Sequence, residues 1–172
     1  MKEKVKPQIW LRQLTTSDGP LVYRMLQRIP PIENGFYNGA HGLTYEQFKM
    51  WLQRQDEISK GINLEPDMVA QTMYWLIVDH IPVGIGKLRH ELNDMLRETG
   101  GNIAYSIEPQ RRGLGYGTLL LEYLLQEAKE MNQKEVIVTA YNYNYKSIHV
   151  ARRNGGVNYR ITDLKHYFRF RL

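Results

Sequence analysis

Hydrophobic positions change their spacing several times along this chain, and each change predicts an element. Ile9 to Leu14 reads as a first strand. Ser17 or Asp18 can cap a helix that has Pro20 in its first turn, runs to about Ile29 and is stopped by Pro30-Pro31. Asn34 to Gly42 reads as a loop. Thr44 and Gln47 form a capping-box pattern that opens a second helix to about Ser59, with Phe48, Trp51 and Leu52 on one face. Met68 to Val78 is rich in β-branched and aromatic residues, as a strand is. A turn at Asp79-His80-Ile81-Pro82 returns it as Val83 to Arg89, with Gly84 and Gly86 on one side.

The remainder alternates between the two periods. Glu91 to Glu98 is polar and suits a short helical turn, and Asn102 to Glu108 suits a strand. Gly113 to Asn132 holds a long helix that buries Leu121, Leu124, Leu125, Ala128 and Met131. Val136 to Ala140 is a short, nearly continuous apolar run, the mark of a strand covered on both faces. Ser147 to Arg153 is a short helix ended by Gly155-Gly156, and Val157 to Ile161 with His166 to Leu172 close the chain as an antiparallel pair. The order β-α-α-β-β-β-α-β-α-β-β predicts an α+β fold with a mixed sheet. Strand 102–108, helix and strand 136–140 make a βαβ unit whose strands should run parallel.

Composition narrows the chemistry. A chain of 172 residues fits one domain over 1–172, and 42% hydrophobic with 24% charged residues is a globular mixture. The sequence holds no cysteine, which removes disulfides, Cys-ligated zinc, iron–sulfur clusters and a Cys nucleophile, and which suits a cytoplasmic setting. No metal-ligand spacing stands out. No apolar run approaches the roughly 18 residues of a membrane span, and the charged start Met1 to Lys6 reads as no signal peptide. Net charge is +5, unevenly placed: residues 1–100 carry 12 basic and 12 acidic side chains, residues 101–172 carry 11 and 6. A basic half suggests an anionic partner: nucleic acid, a membrane surface or a phosphorylated small molecule. The basic residues are spread over helix, turn and strand without a nucleic-acid motif, so neither nucleic acid nor membrane is the expected partner.

Tyr105 to Thr118 is the informative segment. A strand ends at Pro109; the basic, glycine-rich turn Gln110-Arg111-Arg112-Gly113-Leu114-Gly115 follows and opens a helix. The first turn of a helix has unpaired N–H groups and a partial positive charge. Glycines let an oxyanion approach closely, and arginines add full charge. The segment lacks Gly-Lys-Ser/Thr and Gly-x-Gly-x-x-Gly, so it is neither a P-loop nor a dinucleotide fingerprint.

Pro109, five residues, then Gly115-Tyr116-Gly117-Thr118 and a leucine-rich helix resemble motif A of the GNAT superfamily of acetyl-CoA-dependent N-acetyltransferases, Arg/Gln-x-x-Gly-x-Gly/Ala. Both Gln110-x-x-Gly113-x-Gly115 and Arg112-x-x-Gly115-x-Gly117 fit; the second keeps the spacing from the proline. Gly100 to Ile107 resembles the lead-in strand of a bacterial branch, and Asn144-x-x-Ser147 with Asn154-Gly155-Gly156 resembles its motif B. The resemblance implies a GNAT-like (acyl-CoA N-acyltransferase) fold: a mixed central sheet, helices on both faces and a splayed parallel strand pair. It implies acetyl-CoA as co-substrate, no metal, a small-molecule or peptide amine as acceptor, and admits a homodimer.

The residue roles implied are these. The backbone of Tyr105, Ser106 and Ile107 pairs with the pantetheine arm, and the Ile107 N–H stabilises the thioester oxyanion. The N–H groups of Gly113, Leu114, Gly115, Tyr116, Gly117 and Thr118 hold the pyrophosphate with help from Arg112. Asn144 and Ser147 face the other side of the arm, and Arg152 or Arg153 is a candidate for the 3′-phosphate. Many members carry a tyrosine acid seven residues after the motif-B asparagine; here that position is Ala151. His149, Tyr141 and Tyr143 are candidates to replace it, the thiolate can leave unaided, or the protein binds CoA without transfer. For the base, Glu108, Glu91 and His90 stand open. Phe36, Tyr37 and Trp51 fall where the family builds its acceptor pocket. That side belongs to the electrically balanced half, which gives no hint of a charged acceptor.

Overall fold

The computed structural model describes residues 6–172; residues 1–5, which carry most of the absence-of-leader reading, lie outside it. Four strands form one antiparallel sheet in the order β1 (Ile9–Gln13), β4 (Gln71–Val78), β5 (Ile81–Arg89), β6 (Ile103–Ile107). A second sheet has the order β7 (Glu135–Tyr141), β9 (Lys165–Arg171), β8 (Val157–Ile161). The helices are α1 (Pro20–Arg28), α2 (Tyr45–Ser59), α3 (Asp94–Thr99), α4 (Tyr116–Glu130) and α5 (Tyr145–Arg153).

Strand parity places two apolar layers. Tyr74, Leu76, Leu88, Ile103 and Ile107 turn to one face and pack with Leu120, Leu121 and Leu124 of α4 and with Ile148 and Ala151 of α5. Trp75, Ile77 and Ile85 turn to the other face, against Met25 and Leu26 of α1 and Phe48 and Leu52 of α2. On β5 the alternating glycines let α4 lie close: a Cβ at Gly86 would meet Leu124 Cδ1 at 2.6 Å. Of the face expected for α4, Leu125 is only partly buried and Met131 is exposed, because the helix ends at Glu130.

Two local expectations are corrected. Gly19, not Ser17 or Asp18, is the N-cap of α1, without a side-chain cap bond. Asp18 is buried, and its carboxylate accepts from Arg12 Nη2 at 2.5 Å, the Thr15 N–H at 3.0 Å and Trp75 Nε1 at 2.7 Å. A buried carboxylate needs such partners more than a helix needs a cap. The segment read as a loop from Asn34 contains a hairpin, β2 (Ile32–Glu33) and β3 (Phe36–Tyr37), turning on Asn34 and Gly35, both with positive φ. The Thr44–Gln47 capping box forms as expected.

The two sheets meet at β6 and β7 and part at once. One bridge joins Gly101 to Val138, and beyond it no ladder links the strands, so a gap opens between them as the resemblance implied. Every ladder among the described residues is antiparallel. The apex of the gap requires glycine: Gly101 has φ +68°, and a Cβ there would sit 2.2 Å from the Ile137 carbonyl oxygen. Buried Asn102 ties the same point, donating its backbone N–H to the Ile137 carbonyl at 2.7 Å and accepting the Ile137 N–H at 2.8 Å.

Candidate active site

The gap is the narrow part of a cleft of about 690 Å³ that runs from the start of α4 to the end of β5. Its backbone wall follows from strand alternation. The Glu108 N–H donates to the Val83 carbonyl at 2.9 Å, so even-numbered residues of β6 turn their backbone groups toward β5. Tyr105 and Ile107 therefore turn theirs toward the gap, whereas the backbone groups of Ser106, expected to pair with the pantetheine arm, are turned to β5 instead. The Ile107 carbonyl accepts from Arg112 Nε at 2.9 Å, which leaves its N–H as the polar group facing the cleft.

At the end of β6, Pro109–Arg111 makes one 3-10 turn and the chain enters α4 through Gly113 and Gly115, with φ +78° and +83°. An L side chain there would be strained, yet a Cβ would find no atom within 4 Å at either position. What needs glycine is the backbone shape. Successive N–H groups in such a turn converge on a concavity suited to an anion. Among the described residues, the N–H groups of Gly113, Leu114, Gly115, Tyr116 and Gly117 have no backbone or side-chain acceptor outside the helix, whereas that of Thr118 bonds back to the Gly115 carbonyl at 3.1 Å. Arg111, Lys146 and Arg153 line the same end of the cleft, and Arg152 does not.

Opposite this wall stands the first turn of α5. Asn144 is its N-cap: Oδ1 accepts the Ser147 N–H at 3.2 Å, and Nδ2 donates to the Ser147 hydroxyl at 2.9 Å. Both residues line the cleft. Between the walls lies the Tyr105 ring. Its hydroxyl is buried and has no hydrogen-bond partner within the chain. Burial pushes that phenol up to about 12, eased in part by the nearby Ser147 hydroxyl. An unpartnered buried hydroxyl beside five free N–H groups is what a polar, phosphorylated arm lying in this cleft would satisfy, so the residues fit CoA.

The remaining sequence candidates divide. Ser106, His149 and Tyr141 line the cleft; Tyr141 stacks on the exposed Tyr143 with ring centroids 5.2 Å apart. Glu108 is buried and turned to the α1 side, where Arg28 Nη1 donates to it at 2.9 Å. His90 meets the Thr72 hydroxyl at 2.8 Å, and neither it nor Glu91 lines the cleft; desolvation lowers the His90 pKa more than Glu91 raises it. Leu114 is exposed, so only its backbone is available to the turn. Arg112 is engaged: its guanidinium forks onto Glu33, with donor distances of 3.0 and 2.5 Å. Ala151 is fully buried in the core against α4 and does not line the cleft.

Phe36 lines the cleft, whereas Tyr37 and Trp51 do not. The hairpin tip does reach it: a Cβ at Gly35 would touch the Tyr141 ring at 2.9 Å. Arg89, Thr99, Thr139 and Lys165 also line the cleft and escaped the sequence reading. The Asn34-Gly35 pair was the available signal for the hairpin. Nothing in the sequence marks Arg89 and Lys165, which stand 76 positions apart.

Comparison with known proteins agrees with this geometry. A family model described as an acetyltransferase (GNAT) domain matches residues 8–157. No curated protein matches the sequence. Among solved structures, a GNAT-family acetyltransferase from Streptococcus pneumoniae superposes with TM-score 0.65 at 16% identity, covering 96% of this chain and 100% of that one. A ribosomal-protein-S5-alanine acetyltransferase from Vibrio fischeri gives TM-score 0.67 at 16% identity, with 95% and 92% covered. The Campylobacter jejuni N-acetyltransferase PseH, solved with acetyl coenzyme A, gives 0.63 at 11%, with 95% and 99% covered. Identities this low show a shared fold.

Proposed function

Because the chain belongs to the GNAT acetyltransferase family, a class of acetyl-CoA-dependent N-acetyltransferases, we propose that its cleft transfers an acetyl group from acetyl-CoA directly to a primary amine of an acceptor. One observation carries the reading: five free N–H groups, shaped by two left-handed glycines, open onto the same cleft as the unpaired backbone edge of β6. The solved neighbours support it, since one is described as acting on ribosomal-protein alanine and another was solved with acetyl coenzyme A.

Acetyl-CoA supplies an activated acyl group on a thiol leaving group. Gly113 to Gly117 would hold its pyrophosphate through N–H groups, with Arg111, Lys146 and Arg153 adding charge against about four phosphate charges. Arg112 acts by holding Glu33 and the Ile107 carbonyl rather than as a free cation. Tyr105 and Ser106 belong to the wall along which the pantetheine lies, with Asn144 and Ser147 across from it. The Ile107 N–H, aimed into the gap, polarises the acyl carbonyl as charge develops on its oxygen.

Attack requires a neutral amine. His149 and Tyr141, sequence-nominated side chains that line the cleft, are with water the candidates to handle that proton and the one the thiolate takes up. Glu108, clamped by Arg28, instead braces the strand end. With no cysteine, transfer passes through no cysteinyl-acyl enzyme. Incubation of the full chain with acetyl-CoA and a panel of amines should release thiol only when an acceptor is present, with an amide product by mass. Firm CoA binding without acceptor-dependent thiol release across the panel would leave the alternative, a CoA-binding module without turnover, which buried Ala151 favours.

A further inference from the structure

At the end of the cleft remote from α4, two cations converge on one short segment. Arg89 Nη1 donates to the Gly101 carbonyl at 2.7 Å, and Lys165 Nζ donates to the Thr99 carbonyl at 2.5 Å while lying 4.8 Å over the Tyr141 ring. Both line the cleft. Burial pushes the pKa of each down, so both charges are held partly away from water.

Neither has an acidic partner within 4 Å among the described residues. Glu98, the acid next to Thr99, is already committed to Arg160. Lys87, two residues before Arg89 on the same face, donates to the Tyr37 carbonyl and lies over the Phe36 and Tyr37 rings, and it too has no acidic partner within 4 Å among the described residues. Desolvated cations without counter-charge are costly unless something anionic arrives.

Their position separates them from the phosphate grip. On β5, Gly86 and Leu88 face α4, so Arg89 faces the opposite side. On β9, Phe168 and Phe170 face the α4 side, so Lys165 does not. From Gly101 to Ile107 the strand alone spans about 20 Å, and the free N–H groups lie beyond it. A pyrophosphate held there cannot also satisfy Arg89 and Lys165.

We propose that the acceptor carries an anionic group, a carboxylate or phosphate, on its side remote from the phosphate grip, and that Arg89 and Lys165 receive that group beside Thr99–Gly101. This rests on the transfer reading above and names the class of amine it serves. The anion can belong to a peptide, as an acidic second residue, or to a small molecule, as a sugar phosphate; both present the same chemistry to the two cations.

Paired acceptors test it, each pair differing only in charge: a peptide amide beginning Ser-Asp against one beginning Ser-Asn, and glucosamine 6-phosphate against glucosamine, with thiol release from acetyl-CoA as the readout. In at least one pair the anionic member should be favoured about tenfold or more in kcat/KM, and added salt should shrink the preference. Arg89→Gln and Lys165→Gln should each cut the ratio several-fold and Arg89→Lys should retain part of it; a purely structural role would lower both members alike. Equal use of both members in every productive pair, or a ratio untouched by both substitutions, overturns the inference while leaving transfer standing. Calorimetric CoA binding with no thiol release from any acceptor in these pairs or in the wider amine panel overturns the transfer reading, and this one with it.

Discussion

Lys87 makes the hairpin over the cleft measurable. Its ammonium sits behind β3, donating to the Tyr37 carbonyl at 2.5 Å and lying 4.6 Å from the Phe36 ring centre. Desolvation first, and the Arg89 charge second, push its pKa from 10.5 to about 8. A drop of that size corresponds to about 3 kcal/mol by which folding disfavours the charged form. Between pH 8 and 10.5 the unfolded chain therefore binds more protons at this site than the folded chain, so stability rises with pH across that window. Integrating from pH 7 to pH 10, Lys87 alone contributes a gain of about 2.5 kcal/mol. Lys87→Met keeps the length and removes the charge. Urea unfolding of both proteins at half-unit pH steps isolates the effect. The buried phenols Tyr74 and Tyr105, both held protonated by desolvation, titrate above pH 10 in each protein and cancel in the difference. The stability of the native chain minus that of Lys87→Met should climb by about 2 to 3 kcal/mol between pH 7 and 10. A flat difference, or one that falls with pH, would show that the ammonium is solvated and the hairpin is not docked on it as described.

The other predictions separate the cleft from the core. Gly117 is helical, and a Cβ there would make ordinary contact, 3.6 Å from Val150 Cγ2 and 4.0 Å from Tyr105 Cε2. Gly117→Ala should hold or raise thermal stability, by up to about 1 kcal/mol, while weakening CoA binding by calorimetry; unchanged affinity would remove that N–H group's surroundings from the ligand path. Tyr105→Phe deletes a buried hydroxyl that has no partner, so the unliganded protein should be as stable or slightly more so, with weaker CoA binding; clear destabilisation without ligand would contradict the unpartnered hydroxyl. Asn102→Ala removes the acceptor of the buried Ile137 N–H and should cost about 1 to 3 kcal/mol in urea unfolding; a loss within error would mean the apex of the gap is held by the Gly101 bridge alone.

Local signals in the sequence carried far, and long-range ones did not. The Thr44–Gln47 box and the helix opened at Gly115 depend on residues within one turn of each other, and both form where expected. Asp18 shows the limit: as a local signal it is a cap, but the Trp75 indole that claims it comes 57 residues later. Glu108 shows another. Strand alternation puts its side chain opposite that of Ile107, yet only the folded chain reveals Arg28 there, 80 residues upstream. The strands of the hairpin, two residues each, are too short to show a period, leaving Asn34-Gly35 as their one trace. The gap between β6 and β7 was legible only through family resemblance, since no period distinguishes a strand that pairs on one edge from a strand that pairs on two.

Charge arithmetic along the chain misleads for a related reason. Residues 1–100 balance, 12 basic against 12 acidic, and so give no hint of a charged acceptor. In the folded chain, acids of that half are drawn across to arginines of the other: Glu33 to Arg112 and Glu98 to Arg160. Each of these two pairs cancels one excess charge of the basic half and uncovers one cation of the balanced half, and one pair crosses the other way, Arg28 to Glu108. Arg89 is left at the cleft without an acidic partner, joined there by Lys165. A net charge of zero over a hundred residues thus coexists with an unbalanced positive patch, because Coulomb energy falls with distance in space and takes no account of separation along the chain. The surplus of the second half gathers at the α4 end as Arg111, Lys146 and Arg153. The cleft is consequently positive at both ends, about 20 Å apart along β6. A ligand with phosphates at one end and an acceptor with an anion at the other would meet at the gap between them.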